Sequence, residues 1–237
     1  MSDDSILSKI YEESEKTKVT INGTKIKKIR GDFLQDPETC WAKEANNLIW
    51  SKKWDKVLEW DLPFAKWFVG GELNATVNCV DKNIDSSHKN KAAIIWQGED
   101  DATQTYTYYQ LFLAVNKFAN GLKELGIKKG DRVAIYLPMI PELVIAMLAC
   151  ARIGAIHTVI FSGFSAKALS ERVNDSKSRL VITADYGIRR GNKIYLKKVV
   201  DEALSIMPTV ENIIVLKRGT DVVNISSSKY MLWTEIV

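Results

Sequence analysis

Residues 1–90 show no sustained apolar period, whereas the remainder alternates short apolar runs with stretches of 3.6-residue spacing. The polar stretch Asp85-Ser-Ser-His-Lys-Asn90, a cluster of loop formers, separates the two textures. This divides the chain into an N-terminal wrapping extension, residues 1–90, and an α/β region, residues 91–237. Six of the seven tryptophans precede residue 97, and five of them (Trp41, Trp50, Trp54, Trp60 and Trp67) fall in the extension. That zone reads as a layer of short helices with few strands, whose large side chains anchor on another surface.

In the second zone, Ala92–Trp96 and Gln104–Tyr106 predict two short strands about an acidic turn. Thr107 with Gln110 three positions on makes a capping box, and Leu111, Val115, Phe118, Leu122 and Leu125 recur at helical spacing until Gly126. Arg132–Tyr136 reads as a buried strand. Pro141 opens a second helix with an apolar stripe of Val144, Met147, Leu148 and Ala151, closed by Gly154. A strand over Ile156–Phe161 follows, then a helix capped by Ser165 and running to about Asp175. Leu180–Thr183 and Ile213–Leu216 supply two more strands, and Met231–Val237, without a Gly or Pro stop, reads as a helix still running. This alternation predicts an α/β fold, a mostly parallel sheet layered by helices, with ligands outside the carboxyl ends of its strands. No internal repeat breaks the pattern.

Composition changes little: 46% hydrophobic and 26% charged residues are ordinary for a globular chain, and a net charge of +4 is too small to argue for nucleic acid. Cys40, Cys79 and Cys150 are odd in number and lack a CxxC pair, which points to reduced, buried thiols in cytoplasm. The N-terminus is acidic and amphipathic, and no apolar run approaches the ~18 residues of a membrane span, so neither an export signal nor an anchor is expected. The sequons at Asn22, Asn74 and Asn224 then have no glycosylation meaning.

Two loops carry candidate chemistry. Phe161-Ser-Gly-Phe-Ser165 joins a strand's carboxyl end to a helix N-terminus, where free amides can receive a polar ligand group and Gly163 lets backbone approach it; alternatively it is a plain turn with a helix cap. Asp185–Lys193 follows another strand end and carries Arg189, Arg190 and Lys193 without an acidic residue after Asp185, suited to phosphate or purine, or alternatively a solvated basic loop. If the two loops neighbour each other, they form one cationic crevice for a phosphorylated nucleotide. His88 and His157 lie far apart, His157 in a strand pattern as a core residue, so neither a metal site nor a Ser/His triad is expected. No GxGxxG or GxxxxGK[ST] fingerprint is present, which argues against a Rossmann dehydrogenase.

Trp67-Phe-Val-Gly-Gly71, Leu73-Asn74 and Asn78-Cys79 resemble the N-terminal segment of acetyl-CoA synthetases, and further blocks follow collinearly: Lys129–Tyr136, Pro138–Glu142, Met147–Ala155, Phe161–Ser165 and Val181–Asp185. The resemblance spans about residues 36–237. It implies membership of the AMP-forming, adenylate-forming superfamily, whose members join a carboxylate to AMP and then pass the acyl group to a thiol. The implied substrates are acetate, ATP with Mg2+, and CoA; propionate in place of acetate is an alternative. The resemblance further implies that the chain stops inside the family's large N-terminal domain, and that the rest of the same polypeptide is its partner. The CoA nucleotide is expected beside Phe161, Ser162 and Gly163 and beside Arg189, with Arg190 and Lys193 flanking; Ser162 stands where the family usually has glycine, and Asn192 where it commonly has a second basic residue. The family's Ser/Thr/Gly-rich phosphate loop, acetate pocket and catalytic lysine have no counterpart here, so the chain alone is expected to be inactive and, with apolar surface uncovered, to self-associate. A non-catalytic CoA-binding or regulatory module is the rival class.

Overall fold

Asp36 ends one helix and begins the next. The structure, a computed structural model, describes residues 23–220, 222–225 and 227–237; the acidic N-terminal stretch, Asn22 of the first sequon and Ser226 of the third lie outside them. Helix α1 spans Gly23–Gln35, and the Asp36 side chain accepts from Thr39 N at 3.0 Å to cap α2, Pro37–Ala45, which has proline at its first position.

Strands β1 (Lys56–Asp61) and β2 (Phe64–Val69) then pair antiparallel, Leu58 opposite Trp67. This hairpin corrects the expectation of a zone poor in strands. Its positions are mostly exposed on both faces, so no alternation betrays them. Among the described residues, 23–48 and 53–71 form one compact unit. Within it the aromatic rings pack edge-on against one another, Trp41 lying 5.3 Å from Phe33 and 5.7 Å from Trp67.

Ile49–Lys52 and Glu72–Val237 form the second unit. It begins with a short helix α3, Ala75–Cys79, followed by the antiparallel pair β3 (Ala92–Gln97) and β4 (Thr103–Thr107). Helix α4, Tyr108–Glu124, has the expected capping box: Thr107 Oγ1 accepts from Gln110 N at 3.2 Å and Gln110 Oε1 from Thr107 N at 2.9 Å. Replacing Thr107 with alanine is expected to lower unfolding free energy by about 1 kcal/mol, read as a reduced urea midpoint at unchanged slope.

Strand β5 (Arg132–Tyr136), α5 (Pro141–Ile153), β6 (Ile156–Val159), α6 (Ala166–Ser176) and β7 (Leu180–Ala184) follow in the expected order. A small hairpin, β8 (Gly187–Arg189) and β9 (Asn192–Ile194), precedes α7 (Leu196–Ala203), β10 (Asn212–Leu216) and β11 (Tyr230–Leu232). Five strands form an all-parallel sheet in the order β11-β10-β7-β5-β6. Strand β5 is followed in sequence by its neighbour on one side, β6, and then by its neighbour on the other, β7. Right-handed crossovers therefore put α5 on one face and α6 and α7 on the other; accordingly α4 packs on α5, and α6 on α7. The reversal opens a crevice at the carboxyl ends of β5 and β7.

Several expectations need correction. Helix α5 buries Leu143, Ile145, Ala146, Ala149 and Cys150 and leaves Val144 exposed, because it is apolar nearly all round and periodicity cannot choose its inner face. Met231–Val237 is no helix: β11 adds to the open edge of β10, and the turn Trp233–Glu235 is closed by the Glu235 carboxylate accepting from Leu232 N at 2.6 Å. Cys150 is buried, but Cys79 is exposed and Cys40 only half-buried; all three are unpaired. Burial pushes the Cys150 thiol up to about 12, an inert thiol.

Two polar fasteners tie loops to the helices and strands of this unit. The Asn74 side chain caps α3 and donates to the carbonyls of Ala151 and Arg152 at 3.2 and 2.9 Å, while Thr76 donates to Leu148 O at 2.8 Å. At the amino ends of β5, β7 and β10, Arg179 bonds Asp131 at 2.9 Å and, bidentately, Glu211 at 2.9 and 2.7 Å, holding the Glu211 carboxyl below its usual range.

Candidate functional site

The strand-end loops converge. Tyr136 ends β5 and leads into Pro138-Met139-Ile140, β6 leads into Phe161–Ser165, β7 into the β8–β9 hairpin, and β10 into Lys217-Arg218. Together with the β3–β4 hairpin they enclose a cavity of about 270 Å³, lined by Trp96 of β3 and Glu99 of the turn after it, Met139 and Ile140, Phe161 and Ser162, Ile188 and Arg189, and Arg218. The two loops singled out from sequence thus meet in one hollow.

Arg189 lies over the Phe161 ring, its guanidinium carbon 4.9 Å from the ring centre. A methyl group added at Gly163 would stand 2.8 Å from an Arg189 nitrogen and 2.6 Å from the Phe161 ring, so glycine is what lets the three groups crowd together. Ser165 caps α6 by accepting from Ala168 N, fixing where the loop ends. The Trp96 indole donates to Met139 O at 2.7 Å and holds the opposite wall.

The basic segment is a hairpin, not a loop. Arg190 and Gly191 take φ of 51° and 74°, the left-handed pair of a tight two-residue turn, and Gly191 N donates to Glu99 Oε2 at 3.0 Å. Strand alternation pairs Arg189 with Asn192 and Ile188 with Lys193. Arg189 lines the cavity, Arg190 sits exposed in the turn, and the Lys193 ammonium lies 4.5 Å from the Tyr186 ring, away from the cavity lining.

The hollow is not purely cationic: Glu99 and Asp100 line it together with Arg189 and Arg218. Guanidinium groups there can donate to phosphate, and the carboxylates can accept from amino donors of a base. Sequence reasoning missed Arg218, although it follows a strand end just as Arg189 does. It also missed Trp96 and Glu99, whose placement by an antiparallel pair outside the main sheet leaves no local signal. Asp185, at the end of β7, accepts from the amides of Tyr186, Arg218 and Gly219 at 2.7–3.1 Å and thereby aims the segment bearing Arg218. His157 is half-buried on β6, and burial lowers its proton affinity, so it stays neutral at pH 7. Among the described residues no group of three or more His, Cys, Asp or Glu could hold a metal ion.

A 2-1-3-4-5 parallel sheet with a polar crevice at its switch point defines the class of doubly wound α/β proteins, whose ligands bind outside the carboxyl ends of the strands. Residues 81–231 match the family described as AMP-binding enzyme and residues 26–79 the family described as acetyl-coenzyme A synthetase N-terminus. This chain belongs to the AMP-binding enzyme family. It is 50% identical over 210 residues to the acetyl-coenzyme A synthetase of Chlorobaculum tepidum, covering 89% of this chain and 32% of that one. The acetyl-coenzyme A synthetase of Gemmatimonas aurantiaca is 55% identical over 190 residues, 80% and 29% of the two chains. The acetoacetyl-CoA synthetase structure from Streptomyces lividans superposes with a TM-score of 0.77 at 25% identity, over 85% of this chain and 31% of that one. The chain thus spans about a third of the length of the curated relatives it matches. The resemblance read from the motif blocks, and the layered α/β fold expected with it, are both borne out. Among the described residues no helix is long and apolar enough to cross a membrane.

Proposed function

We propose that this chain is the N-terminal part of an acetate–CoA ligase, which converts acetate, ATP and CoA to acetyl-CoA, AMP and pyrophosphate through acetyl-AMP. What carries the reading is about 50% identity, along most of the chain, to proteins named acetyl-coenzyme A synthetase. The cavity where Phe161, Ser162 and Arg189 meet supports it, because a guanidinium at an open rim suits the anionic nucleotide end of CoA. Phe161 supplies an apolar wall, Gly163 permits close approach, and Arg190 and Lys193 add positive charge outside the cavity. Mg2+ would accompany ATP on parts of the polypeptide not described here, and no step is derived through it. Unpaired cysteines and the cellular location of ATP and CoA support a cytoplasmic protein.

Two assays test the reading. The 237-residue chain alone, given acetate and ATP, is expected to release no pyrophosphate, while the full-length polypeptide does so and forms acetyl-CoA when CoA is added. Turnover by the short chain would overturn the assignment of the activating machinery to residues beyond it. A full-length polypeptide that binds CoA but never ligates acetate would favour the non-catalytic module instead.

A further inference from the structure

The loop bearing Phe161, Ser162 and Gly163 is held from beneath by a single side chain. Tyr136, the last residue of β5, has no exposed surface, and its hydroxyl lies 2.8 Å from Phe164 O and 3.1 Å from Ser162 O. A phenol has one proton, so the two carbonyls share it in a three-centre bond. Burial pushes this phenol up to about 12, and the proton stays in place across the working pH of any ordinary enzyme. The loop's other backbone bonds run differently: Ile160 N donates to Ile135 O at 2.8 Å before the loop begins, and Phe164 N donates to Phe161 O at 3.0 Å within it. Among the described side chains, Tyr136 is the one that reaches these loop carbonyls from the neighbouring strand.

The planarity of the peptide bond turns this contact into a directional effect. In a trans peptide the C=O of one residue and the N–H of the next point in opposite directions. With Ser162 O and Phe164 O drawn inward to Tyr136, the N–H groups of Gly163 and Ser165, both exposed residues, point the opposite way, and Gly163 lies beside Arg189. No amide hydrogen bond from Gly163 or Ser165 to another described residue competes for them.

We propose that Tyr136 is a positioning residue for the nucleotide end of CoA: by gathering the Ser162 and Phe164 carbonyls it presents the Gly163 and Ser165 amides to the ligand's phosphate or base. This rests on the ligase reading given above. Losing the hydroxyl frees both carbonyls to rotate and lets the amides wander, which weakens CoA and leaves ATP alone.

The test is Tyr136→Phe in the full-length polypeptide. The KM for CoA is expected to rise about tenfold with the KM for ATP unchanged. A residue with only a packing role would instead shift both KM values, or kcat and Tm, without preference for CoA, and that result overturns the proposal. A KM for CoA within about twofold of the parent overturns it as well. Should the variant fail to fold, hydrogen exchange on the unaltered polypeptide decides: CoA is expected to slow exchange at Gly163 and Ser165, and unchanged rates at both sink the idea. If the parent binds CoA with that protection but does not ligate acetate, the positioning role stands and the ligase reading falls.

Discussion

Alanine in place of Arg189 is expected to raise the KM for CoA by about ten- to thirtyfold in the full-length polypeptide, the loss of one charge-assisted, partly solvated contact. The guanidinium sits on the rim of the cavity over Phe161, unpaired with any described carboxylate in a salt bridge, so its donors are free for a phosphate. Arg189→Lys keeps the charge and loses the planar fork, and its KM should fall between the two. Steady-state titration of CoA at saturating ATP and acetate reads the effect. A KM for CoA that does not respond to Arg189→Ala would remove the ligand from this hollow and leave its assignment to kinship alone.

Trp233→Ala is expected to cost about 3–5 kcal/mol of unfolding free energy, the range for deleting a large buried aromatic. Trp233 is only 7% exposed, and its ring stacks on that of Phe118 at 3.9 Å and 15° between planes. Phe118 is itself fully buried on the inner face of α4. The urea midpoint measures the loss; a decrease below about 1 kcal/mol would mean that the ring is not packed there.

These two residues mark what could and could not be read from the order of amino acids. Arg189 was found because strand ends announce themselves: Leu180–Ala184 is an apolar run too short for a helix, and the residues after it must face the open end of a parallel sheet. The helix over Tyr108–Glu124 was equally legible, since its cap, its 3.6-residue stripe and its closing glycine agree with one another. Met231–Val237 reads as helical because five of its seven residues are apolar and so short a segment fits either state; only the vacant hydrogen bonds along β10 draw Tyr230–Leu232 into a strand, with Trp233 in the turn after it. Spacing in an irregular loop says nothing about facing, so the sequence alone groups Arg190 and Lys193 with Arg189; a left-handed turn beginning with arginine lacks the usual Asn-Gly signature, which leaves the hairpin that separates them without a local signal. Trp96 and Glu99 enter the site through contacts made at a distance in sequence, which no local pattern records, whereas Arg218 carries the same strand-end signal as Arg189.

The row of Asp131, Arg179 and Glu211 lies at the amino ends of the strands, whereas ligand chemistry lies at the carboxyl ends. Strand β5 is five residues long, so about 16 Å separate the two. The ion pairs at one rim and the ligand groups at the other share no hydrogen bond or side chain, so thermal robustness can be tuned at one rim while affinity is tuned at the other.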